Sequence, residues 1–174
     1  EKPKLNEVLL VFSSFHLERN TLAPAYRRAL KIGFNQSMKE VDKFMENAQF
    51  PYYNSAKTDV IQFVKWDSLY SDWNGRGTFA SINYLQTTWD KISTSKLDLL
   101  EVSKNIILKI SELCTKNGVK FHLVLLDNEP EMTDFEKELG EQKFSITKIG
   151  FDFTDSSITN LPYDIHPNDF GHQQ

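Results

Sequence analysis

Two short stretches of the chain are apolar almost without interruption. "EVLLVFSS" (Glu7–Ser14) and "KFHLVLLD" (Lys120–Asp127) suit strands buried on both faces, as parallel sheets require. "KFSITKIGF" (Lys143–Phe151) reads as a weaker third strand. Between the first two, Leu99/Leu100, Ile106/Ile107, Ile110 and Leu113/Cys114 recur at helical spacing and predict a helix from about Lys96 to Asn117. Ser95 with Asp98 forms a capping-box start, and Asn117-Gly118 a left-handed stop. A shorter helix is predicted over Asp134–Leu139, opened by Thr133 and Glu136 and ended by Gly140.

Strands that alternate with helices imply parallel strands joined by right-handed crossovers, an α/β layered fold. The three strands are expected side by side in chain order, within a single domain spanning residues 1–174. A less regular insertion occupies residues 21–93. Within it "AYRRALKIGFNQSMKEVDKFMENA" reads as partly helical and "DVIQFVKW" as extended. "FASINYLQTTWDKI" reads as a helix with Phe79, Ile82, Leu85, Trp89 and Ile92 on one stripe.

Composition narrows the picture by exclusion. The 174 residues are 40% hydrophobic and 13% aromatic, which argues against disorder. A net charge of −4 gives no electrostatic reason to expect nucleic acid or an anionic membrane surface. No apolar run approaches the roughly 18 residues of a membrane span. The opening "EKPKLNEVLLVF" has a short, strand-like apolar run instead of a signal-peptide layout. Cys114 is the single cysteine, so neither an intrachain disulfide nor a cysteine zinc site is expected. No glycine pattern of the phosphate-cradling kind occurs among the seven glycines.

The candidate chemistry is concentrated in "YDIHPNDFGH" (Tyr163–His172). Asp164 and His166 follow the third strand by about a dozen residues, in a loop expected to cross the crevice beyond the strands' carboxyl ends. Pro167 suits the first turn of a helix, which places both residues at its mouth. A carboxylate two positions before a histidine can reach its Nδ1–H, fixing the tautomer and stabilising the imidazolium. That is the orienter-and-base half of a nucleophile triad. A zinc site from Asp164, His166 and His172 is the sharper rival, although no further His/Asp/Glu cluster completes a shell. His172 otherwise reads as structural, His122 as a core histidine bonded to backbone, and Ser13 and Ser14 as strand-end hydroxyls. Trp66, Tyr70 and Trp73 suit either packing or an acyl or sugar pocket.

"DIHPNDFGH" resembles the last block of the SGNH, or GDSL-type, hydrolases, and "VKFHLVLLDNEPEMTDFEKEL" resembles the strand–loop–helix before it. The resemblance implies a three-layer, flavodoxin-like fold and serine ester hydrolysis, with Asp164 as triad acid and His166 as general base. It extends more weakly to "NEVLLVFSSFHLERN", similar to the strand and loop bearing the family's oxyanion asparagine. There His16 is the candidate substitute donor and Asn20 a more distant one. No Gly-Asp-Ser tripeptide occurs in the chain. The resemblance therefore starts at the family's third strand and implies that the nucleophilic serine lies on residues outside this sequence. A second polypeptide carrying that half of the domain is an implied partner, and the chain alone is expected neither to fold stably nor to hydrolyse esters. The other implied partner is a small-molecule or glycan ester. No cofactor and no metal is called for. The alternative is a catalytically inactive SGNH-like module that binds a partner or glycan.

Overall fold

The computed structural model describes residues 5–37, 40–53, 60–140, 142–163 and 166–173. In chain order these form β1 (Glu7–Phe12), α1 (Phe15–Asn20), α2 (Pro24–Ser37), α3 (Val41–Met45), β2 (Gln49–Tyr52) and β3 (Gln62–Lys65). There follow α4 (Trp66–Leu69), α5 (Ala80–Ser95), α6 (Leu99–Lys116), β4 (Lys120–Asp127), α7 (Pro130–Leu139), β5 (Ser145–Phe151) and a single 3-10 turn, Gly171–Gln173. The chain divides into two units, residues 1–14 with 107–174, and residues 15–106. The expected insertion, 21–93, falls within the second.

The first unit is built on a three-stranded sheet in the order β1-β4-β5, with both pairs parallel. This is the α/β arrangement that the apolar runs predict. The register sets Val8, Leu10 and Phe12 beside Phe121, Leu123 and Leu125, and the two-residue period puts all six on one face. Phe12, Phe121, Leu123 and Leu125 are buried there. α7 offers Met132, Phe135 and Leu139, three fully buried side chains at helical spacing. The Phe135 ring stacks on Phe12 with centroids 5.0 Å apart. On the opposite face Leu9 and Val11 are 64% and 45% exposed. β1 pairs with β4 alone among the described residues, so it is an edge strand.

Two helix starts differ from expectation. Ser95 is the last residue of α5, and its hydroxyl donates to Ile92 O. Asp98 alone therefore opens α6, its carboxylate accepting from Glu101 N at 3.4 Å. α7 begins a turn before Asp134, because Pro130 occupies the first helical position, where a missing N–H costs nothing. The stop at Gly118 is as expected: its φ is +66°, and Val119 N returns to Cys114 O at 2.9 Å. Among the described residues no helix is long and apolar enough to cross a membrane.

In the second unit β2 and β3 pair antiparallel. Gln49–Tyr52 has no strand signature in the sequence, being four residues long with Pro51 inside. A core of Leu22, Val41, Met45, Trp66 and Leu69 lies here. Trp66 is fully buried, its Nε1–H donating to Asp42 Oδ1 at 2.7 Å and its face covered by Lys31 Nζ at 4.8 Å. It is a core side chain rather than a pocket wall.

α5 turns the expected face outward. Leu85, Trp89 and Ile92 are 56%, 54% and 45% exposed, whereas Gln86 and Asp90 are buried. The cause is the loop "YSDWNGRG" (Tyr70–Gly77), which brings polar groups of its own to the helix. Arg76, also buried, donates to Tyr70 Oη at 2.6 Å and to Asn83 Oδ1 at 3.0 Å. Gln86 accepts from Trp73 N at 2.8 Å and donates to Tyr70 Oη at 3.0 Å. Tyr70 in turn donates to Asp90 Oδ2 at 2.6 Å, so its one proton and both lone pairs are used. Buried polar groups are costly only when unpaired, and this network pairs them.

Burial first, and then the hydrogen bond to the Asp90 carboxylate, push the Tyr70 phenol up to about 12. The folded state thus favours the neutral phenol. The network's stability is complete below pH 10 and is lost as pH rises toward about 12, because the unfolded chain gives up this proton first. Tyr70→Phe should remove a component near pH 12 from the tyrosinate absorbance titration and flatten the fall in stability across that window. An unchanged titration would mean that Tyr70 is not held in the network.

Candidate functional site

Ser13 and Ser14 follow β1, and Asp127 ends β4, which brings a carboxylate and two hydroxyls to the carboxyl end of the sheet. Asp127 is 1% exposed. Its Oδ2 accepts from the buried Ser13 hydroxyl, from Ser14 N at 2.9 Å and from Ser14 Oγ at 3.2 Å. Both serines therefore act as strand-end hydroxyls that tie β1 to β4. The second oxygen, Oδ1, is buried with no hydrogen-bond partner among the described residues. A carboxylate oxygen left so is costly and can accept a hydrogen bond or a proton. Sequence reasoning missed Asp127; the available signal was an acidic residue closing an apolar run at a parallel strand's carboxyl end.

β5 bends where it meets this end. Leu125 pairs with Lys148 but Asp127 with Phe151, so β5 carries one extra residue, a bulge. Gly150 within it has φ +75°, and its carbonyl accepts from Asn128 Nδ2 at 3.0 Å. A Cβ at Gly150 would lie 2.6 Å from that same nitrogen, so the position requires glycine twice over. Asp152 starts the loop beyond, accepting from Thr154 Oγ1 at 2.7 Å and Thr154 N at 2.8 Å. These bonds, the side-chain one foremost, hold its carboxyl below the usual range.

The loop carrying His166 is organised by Asn168. Its Nδ2 donates to Ser157 O and Thr159 O, each at 3.0 Å, and its Oδ1 accepts from Phe170 N and Gly171 N, each at 3.0 Å. One amide thus serves four backbone groups. Gly171 packs closely beneath, where a Cβ would fall 2.2 Å from Ile158 O. The helix expected from Pro167 does not form. Pro167 instead bridges Thr159, and the Asn168 side chain takes the N–H groups of the next turn, a local competition that favours turns over helices. Only Gly171–Gln173 make a 3-10 turn, in which His172 N bonds Asn168 O at 3.0 Å. His166 O accepts from Asn160 N at 3.0 Å, and its side chain is exposed. Asp164, the expected partner of His166, lies outside the described residues.

His16 and Asn20 belong to the other unit, on α1, a helix where a loop was expected. The His16 ring lies against Phe15, centroids 4.1 Å apart. Asn20 Nδ2 donates to the buried Ser103 Oγ at 2.9 Å, which commits one of its two protons to packing. His122 is not the expected core histidine: it is half-buried, and its partners are the side chains of Glu7 and Ser145. Among the described residues no cluster of three or more His, Cys, Asp or Glu can hold a metal ion. No protein-family model, curated protein or solved structure matches the chain.

Gly171→Ala should cost roughly 2–3 kcal/mol of stability. Asn168→Ala should strip hydrogen-exchange protection from the Phe170 and Gly171 amides. Protection retained in the Asn168 variant would show that other contacts hold the loop.

Proposed function

We propose that this chain is the His166-bearing part of a serine ester hydrolase of the flavodoxin-like SGNH type. The observation that carries the reading is the parallel order β1-β4-β5 followed by the anchored loop that presents His166. In this mechanism a serine on a polypeptide segment outside the sequence attacks the ester carbonyl. His166 takes the serine proton and returns it to the leaving alcohol, while Asp164 orients the imidazole. No cofactor takes part. The segment bearing the serine is proposed to pair with the outer edge of β1 and cover Leu9 and Val11. Both are exposed, as an all-parallel sheet seldom leaves its strands.

A non-catalytic binding module is the second reading, favoured by one observation. Asn168 and Gly171, two residues of the motif's signature, are required by the loop's own folding and need no chemistry to explain them.

Hydrolysis of para-nitrophenyl esters by the full-length protein carrying Ser145→Ala, which removes the hydroxyl bound to His122, separates the two. In that background His166→Ala and Asp164→Asn should each lower kcat by about a thousandfold or more with the melting temperature unchanged. Equal activity with and without His166→Ala would refute the hydrolase reading. Absence of hydrolysis in both, with ligand binding retained, would establish the binding module.

A further inference from the structure

A second group of polar side chains crosses all three strands at the opposite, amino end of the sheet. His122 stands beside Ser145 in the β4–β5 register, and Glu7 lies on the same face of β1, one pleat from Leu9, the residue beside His122. His122 Nε2 is 2.6 Å from Glu7 Oε1, and its Nδ1 is hydrogen-bonded to Ser145 Oγ. A carboxylate only accepts, so Nε2 carries the ring proton of the neutral imidazole and donates it to Glu7. Nδ1 is then the basic nitrogen, and the Ser145 hydroxyl donates to it. This is the connectivity of carboxylate, imidazole and hydroxyl that activates a serine, with the two ring nitrogens exchanged.

The group borders a space in which a substrate could sit. His122 and Ser145 line a cavity of about 420 Å³, within the size range of small-molecule sites. Lys120 and Lys143 line it as well, with Phe144 between Lys143 and Ser145 in sequence. Two lysines in the lining give the cavity a positive character that favours a substrate with an anionic group. The Phe144 ring, fixed edge-on against Phe121 at 5.0 Å, gives the cavity a rigid apolar wall.

We infer that Ser145 is a nucleophile, activated by His122 and Glu7, toward small acyl esters that carry a carboxylate or similar anionic group. In acylation the Ser145 oxygen bonds to the carbonyl carbon and its proton passes to Nδ1. The bond from that carbon to the leaving oxygen breaks, and Nδ1 returns the proton to the departing alcohol. In deacylation Nδ1 takes a proton from water, the hydroxide attacks the acyl carbon, and the free acid leaves as Ser145 recovers its proton. The inference is independent of the His166 reading, because it uses a different base at the other end of the sheet.

The test is covalent labelling of the full chain by a fluorophosphonate and by para-nitrophenyl hemisuccinate, with the modified residue located by mass spectrometry. Ser145 should be labelled, with the rate at least tenfold lower in His122→Ala and reduced in Glu7→Gln. His166→Ala should leave it unchanged. Lys120→Met with Lys143→Met should slow the hemisuccinate selectively over para-nitrophenyl acetate. No adduct on Ser145 in the wild type, or labelling that is equally fast in His122→Ala, would overturn the inference. Ser145→Ala, which removes only a hydroxyl from an exposed position, controls for reaction at other residues.

Discussion

Neighbouring parallel strands cannot be joined by a tight turn, and this constraint organises the first unit. To pair with β1 in the same direction, β4 must be reached by a return path from the carboxyl end of the sheet to its amino end. The path from β1 to β4 holds the whole of residues 15–106, and the path from β4 to β5 is α7 with its flanking loops. Every connection therefore leaves from one end and arrives at the other. The departing residues Ser13, Ser14, Asp127, Asn128 and Asp152 gather at the carboxyl end, and the strand starts Glu7, Lys120 and Ser145 gather at the amino end.

Polar groups in apolar surroundings recur, and in each case local geometry decides whether they are tolerated. Asn168 satisfies four backbone groups in the terminal loop. The Tyr70–Arg76–Gln86–Asp90 network does the same for the buried side of α5. Asp127 is the exception, with one oxygen engaged three times and the other not at all among the described residues. An unpaired buried acceptor costs on the order of 1–3 kcal/mol, a sizeable part of a small domain's net stability. That cost makes the carboxyl end of the sheet the place where the fold is least explained by stability alone.

β1 and β4 were legible in the sequence because an apolar run of six to eight residues admits few other structures. So was the stop at Gly118, which rests on one backbone conformation that glycine adopts freely. The burial of α5 was not legible. Hydrophobic periodicity shows that Phe79, Leu85, Trp89 and Ile92 share a face but not which face is covered, and here Arg76 and Tyr70 cover the polar one. Tertiary partners that lie distant in sequence also decided His122, whose setting depends on where β1 and β5 place Glu7 and Ser145. Within the terminal motif the order of residues pointed to His166 and Asp164. The work of Asn168 and Gly171 emerges only once Ile158 and Thr159 are brought against them.

β4 gives the clearest contrast between legible pattern and decisive geometry. Both of its ionisable side chains beyond Lys120 sit in the same apolar run, five positions apart and so of opposite parity. Parity places Asp127 on the face of Leu123 and Leu125, where it is buried and bound to β1. It places His122 on the other face, half-buried between a carboxylate and a hydroxyl. Exposed ion pairs contribute only about 0–1 kcal/mol, so stability gives little reason for three strands to align Glu7, His122 and Ser145. A proton-exchanging role needs what this face offers: an imidazole oriented by a carboxylate, hydrogen-bonded to a hydroxyl, and still reached by solvent.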